Sequence, residues 1–277
     1  MFLRKTVANA IVLRYNRNEG GDKVDLYKEL AAIRCFTRDE LARLAGSDSA
    51  AAWHIRKFLE KGYIERVRRD LYVVMSLETG QPIPNRFQIA SRVAEDACVS
   101  HHSAFEYYGY ANQVFYEVYV ATGKRVRSFS YDGIDYYPVS CRGTEGVIET
   151  GNGVRVTSLE RTVIDGIADF EKIGGLEELL RCMQLIPSLS PEHLLSALDL
   201  YHCGKLYQKT GYILEIFQED LGLPDFFLDE CEKHLPDSKS YFSDEKDGFV
   251  FHKRWRLFAP ENLRTLIDKG VNNYDAI

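Results

Sequence analysis

From residue 24 to residue 75 the apolar positions recur with periods that read helix, helix, helix, hairpin. Leu26, Leu30 and Ile33 stand at i, i+4 and i+7 and predict a helix over about 25–33. Thr37, with Glu40 three residues on, is a capping box that opens a second helix; Leu41 and Leu44 face inward and Gly46 ends it. A third helix is predicted over about 48–61. Ala51, Ala52, Ile55, Phe58 and Leu59 fall on one side of it, and Ala50, Trp53, His54, Lys57 and Lys61 on the other, flanked by Ser49 and Arg56. Gly62 stops that helix, and two short strand-like runs, 63–67 and 71–75, enclose Arg68-Arg69-Asp70.

This order is the winged helix-turn-helix arrangement, in which the third helix enters the major groove and the hairpin touches the neighbouring backbone. Ser49, Ala50, Trp53, His54, Arg56 and Lys57 combine hydrogen-bond donors with small residues that let a helix approach base edges. Arg66, Arg68 and Arg69 arm the wing for phosphates. A tryptophan on the polar side calls for a partner of its own. Winged helices also serve as protein-interaction modules, and the basic side chains favour DNA over that use.

Beyond this module, Gly80, Pro82 and Pro84 mark a linker over 78–84. Helices are expected over about 86–96 and 101–108, the second opened by Ser100. Strand-like runs follow at 114–121 and 129–140, the latter broken at Asp132-Gly133, and a hairpin over 146–156 turns at Gly151-Asn152-Gly153. Thr157 and Glu160 form a second capping box before a helix over 161–168, where Arg161 and Asp165 stand i, i+4 and pair at the surface. Further helices run to about 233, strands are expected at 249–252 and 255–258, and a helix closes the chain near 261–269. The fold class is α+β: a winged helix-turn-helix domain over 1–80, with an N-terminal extension over 1–22, then a larger mixed α+β domain over 84–277. The strand order of the second domain is not readable from the pattern.

Charge divides along the same line. The chain has a net charge of −6, yet residues 1–75 hold 15 Lys and Arg against 10 Asp and Glu, or +5, leaving −11 for the remainder. A basic module on an acidic body is suited to meeting a phosphate backbone in one orientation. Arg4, Lys5, Arg14 and Arg17 precede the module and either add phosphate contacts or belong to a packed helix. No run of about 18 apolar residues is present, no membrane association is expected, and a cytoplasmic location follows. The six cysteines are scattered singly with no CxxC, which reads as reduced thiols. Cys231 with His234, and His202 with Cys203, are isolated pairs, so no metal and no cofactor is expected.

Three stretches together carry a resemblance: Arg68-Arg69-Asp70-Leu71-Tyr72, then Val99-Ser100-His101-His102-Ser103-Ala104, then Val156-Thr157-Ser158-Leu159-Glu160-Arg161-Thr162-Val163-Ile164-Asp165. In this spacing they resemble the AbiEi family of antitoxins and viral-defence regulators, over about residues 36–183. The family tends to have Gly at the place of Asp70, which Asp tolerates because it visits the left-handed region readily. The resemblance implies a repressor of its own toxin-antitoxin operon whose second domain counteracts a nucleotidyltransferase-like toxin. Glu160, Arg161 and Asp165 are its candidate partner-binding face. One module covers a half-site, so two copies on an inverted repeat of double-stranded promoter DNA are expected.

No catalytic residue is assigned. Ser100-His101-His102-Ser103 lacks an acidic partner by spacing, and Ser100 as a helix cap accounts for it. Two other classes stay open: a ligand-responsive winged-helix regulator without a toxin, and a DNA-targeted nuclease, which would need a spaced carboxylate and lysine motif that is not seen.

Overall fold

A computed structural model describes residues 22–244 and 247–266. The extension over 1–21, with its four basic residues, lies outside them, and so do residues 267–269 of the expected last helix.

The predicted N-terminal elements form as α1 (Asp22–Ile33), α2 (Arg38–Ala45), α3 (Asp48–Glu60), β2 (Ile64–Arg68) and β3 (Leu71–Val74), with an unforeseen strand β1 (Cys35–Phe36) between the first two helices. The order is β1-β3-β2, all antiparallel. Leu26, Leu30, Phe36, Leu41, Leu44, Ala51, Ile55, Phe58 and Ile64 close the core between helices and sheet. Ile33, Ala52 and Leu59, assigned inward by periodicity, are exposed instead, because the buried stripe of each helix is narrower than the pattern suggested.

The stretch expected as a linker is laid back on this sheet: Gly80 turns the chain at φ 67°, Pro82 bridges to Met75, and Ile83 N–H donates to Val74 O at 2.8 Å. The helix expected over 86–96 stops early, as α4 (Arg86–Ala90). The Ser91 hydroxyl donates to Phe87 O and accepts from Arg155 N–H, turning the chain toward the next sheet.

That sheet has six strands, β4 (Cys98–Val99), β5 (Glu117–Thr122), β6 (Phe129–Tyr131), β7 (Ile134–Ser140), β8 (Val147–Glu149) and β9 (Arg155–Thr157), in the order β6-β7-β5-β4-β9-β8. β5 and β7, and β4 and β9, run parallel; the other neighbours are antiparallel. Asp132 at φ 50° and Gly133 at φ 72° make the two-residue turn read from the sequence. α5 (His101–Tyr108) follows β4.

The helices α6 (Leu159–Ala168), α7 (Leu176–Gln184), α8 (Pro191–Asp199), α9 (Gly204–Ile216) and α10 (Asp225–Lys233) build the largest core, closed by a three-stranded sheet of β10 (Ser240–Tyr241), β11 (Phe249–His252) and β12 (Leu257–Pro260). Trp255, expected to begin a strand, is fully buried against Gly211 of α9. The molecule is mixed α+β: N-terminal helices on a small sheet, then the six-stranded sheet, then the helical core with its closing sheet.

The N-terminal sheet is covered on both sides. β3 alternates, sending Tyr72 and Val74 toward the helices and Leu71 and Val73 the other way. The second set joins Cys35, Val67 and Met75 in one core with Ile89, Ala97, Val99, Val118, Tyr136 and Val156 of the six-stranded unit.

Candidate nucleic-acid interface

The capping box forms as predicted: Glu40 N–H donates to Thr37 Oγ1 at 3.3 Å and Thr37 N–H to Glu40 Oε2 at 2.9 Å. Gly46 at φ 80° closes α2, and Ser47 caps α3 by accepting from Ala50 N–H at 3.1 Å. With Ala51, Ile55 and Phe58 buried, the helical repeat of about 100° per residue puts Ser49, Trp53 and Arg56 on the outward face, all exposed. Ala50 and Lys57 take one flank; Lys57 Nζ pairs with Glu60 at 2.8 Å. His54 is half-buried, turned toward the core side with Trp53 edge-on at 4.9 Å and Phe58 at 5.7 Å. Trp53 thus has its partner. It also lines an apolar recess of about 310 Å³ with Tyr27, Lys57, Lys61, Tyr63 and Leu77.

The three hairpin arginines part company. Arg66 and Arg69 are exposed, Arg66 Nε donating to Arg68 O at 3.2 Å. Arg68 turns back to the six-stranded unit: Nη1 reaches Val93 O at 3.5 Å and the guanidinium lies 5.4 Å over the Phe129 ring. Burial lowers its pKa. Beside it, Tyr131 donates its hydroxyl to Glu65 Oε2 at 2.8 Å, so the hairpin is pinned to β6. Asp70 sits at φ 61°, and its Oδ1 accepts from Arg38 N–H at 2.9 Å, tying the wing turn to the first residue of α2.

Between the N-terminal hairpin and the six-stranded unit runs a cleft of about 540 Å³, lined by Arg43, Arg69, Arg92 and Arg155 together with Asp39, Glu40, Glu95 and Glu149. Arg92 bridges it with an ion pair to Glu40. Burial raises the Glu40 pKa, and the bonds from Arg92 and Thr37 more than reverse this, leaving it below the ordinary carboxylate value.

The candidate partner face is corrected in one respect: Arg161 and Asp165 do not pair at a surface but are buried, 2% and 4% exposed. Arg161 donates to Gly143 O at 3.1 Å and to Glu145 O, holding the loop after β7, and its Nε stands 3.7 Å from Asp165 Oδ2. Asp165 Oδ1 accepts the Tyr201 hydroxyl at 2.6 Å. Glu160 accepts from Ser190 N–H at 3.2 Å and does not close a capping box with Thr157; Ser158 caps α6 instead.

The two histidines of the 100–103 stretch diverge. Ser100 stands at the N-cap of α5 without a side-chain capping bond, since its Oγ lies 3.0 Å from His101 Nδ1. Ser100 is fully buried, which keeps it from any substrate. Burial lowers the His101 pKa. His102 stacks on Phe115 at 4.0 Å, with Glu106 Oε1 3.7 Å and Glu178 Oε1 3.5 Å from its ring nitrogens and Cys182 Sγ 3.6 Å from the same Glu178 oxygen. That oxygen accepts backbone N–H of Asn112 at 3.1 Å and Gln113 at 3.0 Å, so Glu178 anchors the 112–113 loop to α7. Cys231 is buried in the helical core and His234 stacks on Tyr207 at 4.7 Å. Among the described residues no helix is long and apolar enough to cross a membrane.

A family model described as a transcriptional regulator, AbiEi antitoxin, matches residues 25–74. Among solved structures, the chain is similar to the crystal structure of the RV2827C protein from Mycobacterium tuberculosis, at 14% identity and a TM-score of 0.59, covering 93% of this chain and 97% of that one. This likeness concerns the fold. No curated protein matches the chain.

Proposed function

We propose that this chain, of AbiEi type by the match of residues 25–74 and by the motifs quoted above, is a DNA-binding transcriptional regulator that works as an antitoxin. The observation that carries the reading is the outward face of α3, with Ser49, Trp53 and Arg56 exposed beside a hairpin whose Arg66 and Arg69 are also exposed. A winged helix-turn-helix is the arrangement that uses those parts together, helix in the major groove and hairpin on the adjacent backbone. In this reading Ser49, Arg56 and Trp53 face base edges, Ala50 and Lys57 permit and support the approach, and Arg66 and Arg69 hold phosphates. His54 and Arg68 act from behind, as packing for the helix and the wing.

The protein represses its own operon through two copies on an inverted repeat, and a nucleotidyltransferase-like toxin encoded beside it is the activity it counteracts. No enzymatic role is proposed. A mobility-shift titration of the full chain on its own promoter and on unrelated duplex tests the first step. Arg56→Ala is expected to reduce discrimination between the two duplexes by about tenfold, the worth of one good base contact. A folded chain that binds neither duplex overturns the DNA reading. Co-expression with the neighbouring toxin gene tests the second step, and growth arrest unrelieved by the protein overturns it.

A further inference from the structure

We propose that the cleft at the start of α5 binds a phosphate group, as the inorganic ion or as the end of a small phosphate ester. Two stretches far apart in the chain, 100–103 and 157–165, meet there. The cleft has a volume of about 290 Å³ and is lined by His101, Arg142, Arg161, Asp165, Lys172 and Tyr201 among others. This pocket is a separate feature from the α3 surface, and the proposal does not depend on what the N-terminal module binds.

Each carboxylate of the cleft already faces a cation. Asp165 takes the Tyr201 hydroxyl and stands beside Arg161, and Asp169 is paired with Lys172. Arg161 is in turn spent on the carbonyls of Gly143 and Glu145. What remains are donors. Arg142 is exposed, lies 4.3 Å over the Tyr201 ring, and makes no hydrogen bond or ion pair among the described residues. His101 is 8% exposed, and its Nε2 has no hydrogen-bond partner among the described residues. In the tautomer in which Ser100 Oγ donates to Nδ1, Nε2 carries the proton and is a donor toward the cleft.

The backbone supports the same assignment. His101 is the first residue of α5 and has φ 51°, a left-handed conformation that a residue with a β-carbon adopts at a cost and that clusters at ligand sites. Ser100 Oγ faces the His101 ring and not the helix, so the first-turn N–H groups of α5 have no side-chain cap and the positive end of the helix lies beside the cleft. Three cations, Arg142, Arg161 and Lys172, stand against two carboxylates, Asp165 and Asp169, inside the acidic part of the chain. A largely buried imidazole that lines the cleft, with no protein partner at Nε2, is a group that a bound anion can engage beside the exposed Arg142 guanidinium. The donors come from α5, from the loop after β7 and from the 3₁₀ turn Phe170–Ile173, and such separated directions suit the oxygens of a tetrahedral ion.

Isothermal titration calorimetry of the full chain, with inorganic phosphate in one arm and 5′-AMP in the other, tests this. The expected result is saturable binding of at least one probe, weakened about tenfold or more by Arg142→Ala and by His101→Asn. Asparagine tolerates positive φ, and Arg142→Ala alters only an exposed side chain, so it decides the matter if His101→Asn fails to fold. Binding of both probes supports the proposal with the phosphate itself as determinant; binding of 5′-AMP alone supports it with an ester as ligand. No saturable heat with either probe up to about 10 mM, or binding that Arg142→Ala leaves unchanged, overturns it.

Discussion

Arg68 and Arg69 are neighbours in sequence with different work to do. Arg69 is exposed at the hairpin tip, so if the chain binds DNA as proposed, Arg69→Ala should weaken duplex binding on every sequence and reduce the salt slope by about 0.9, one phosphate's worth. Arg68 lies over Phe129, so Arg68→Ala should leave that slope nearly unchanged and destabilise the fold by about 1 kcal/mol through lost ring contact and stem packing. Fluorescence anisotropy against salt, with urea denaturation alongside, separates the two; a slope lost equally in both variants would return Arg68 to the phosphate-binding set. Asp70 shows the same economy in one residue. Its left-handed backbone suits glycine, yet its carboxylate caps α2. Asp70→Ala loses the cap and keeps the strain, a cost of about 1–2 kcal/mol, and Asp70→Gly should cost less because the strain goes too. Equal loss in the two variants, measured by urea denaturation, would show that strain contributes nothing there.

At the scale of elements, α2 is docked to the body by the Glu40 and Arg92 pair. The Glu40 pKa is lower in the folded chain than the ordinary 4.5. The stabilisation it brings is therefore complete above that value and lost as the pH falls through the folded pKa, so stability should decline below about pH 4.5 more steeply in the parent than in Glu40→Gln. Identical acid slopes in the two proteins, read by denaturation midpoints across pH, would remove this pair from the account. In the last sheet, Trp255 lies flat against α9 where Gly211 has no side chain, and a β-carbon there would overlap the indole ring. Gly211→Ala should cost about 1–3 kcal/mol by overpacking, although alanine is the better helix former. A gain in melting temperature would contradict the packing read from the structure.

For the whole molecule, the consequence of a shared core is cooperativity. Leu71, Val73 and Met75 of the N-terminal module pack with Val99, Val118 and Val156 of the body, and the hairpin is pinned by Tyr131 and Phe129. The chain has two tryptophans, Trp53 in the module and Trp255 in the last sheet. In each single-tryptophan variant, Trp53→Phe and Trp255→Phe, the tryptophan fluorescence should report the same urea midpoint as circular dichroism of that variant, and a fragment ending near residue 80 should be markedly less stable than the module in the full chain. Midpoints that differ clearly would mean two independent folding units, as the Pro- and Gly-containing stretch over 78–84 suggests on sequence grounds.

Local signals determined what local forces decide. Thr37 with Glu40, Gly46, Gly62 and the Asp132-Gly133 turn placed their elements because capping and positive φ are properties of a few adjacent residues. The continuous apolar run Leu71-Tyr72-Val73-Val74-Met75 also held a signal, since a strand without polar alternation is covered on both faces. What covers the second face, and that Arg68 turns toward Val93 and Phe129, depended on residues of other elements. The same holds for Arg161 and Asp165. Their i, i+4 spacing gave the pair, but only packing of the loop after β7 and of Tyr201 decided that the pair is buried and borders a cleft with His101. Sequence spacing measures distance along one element; burial is set by what other elements lay across it.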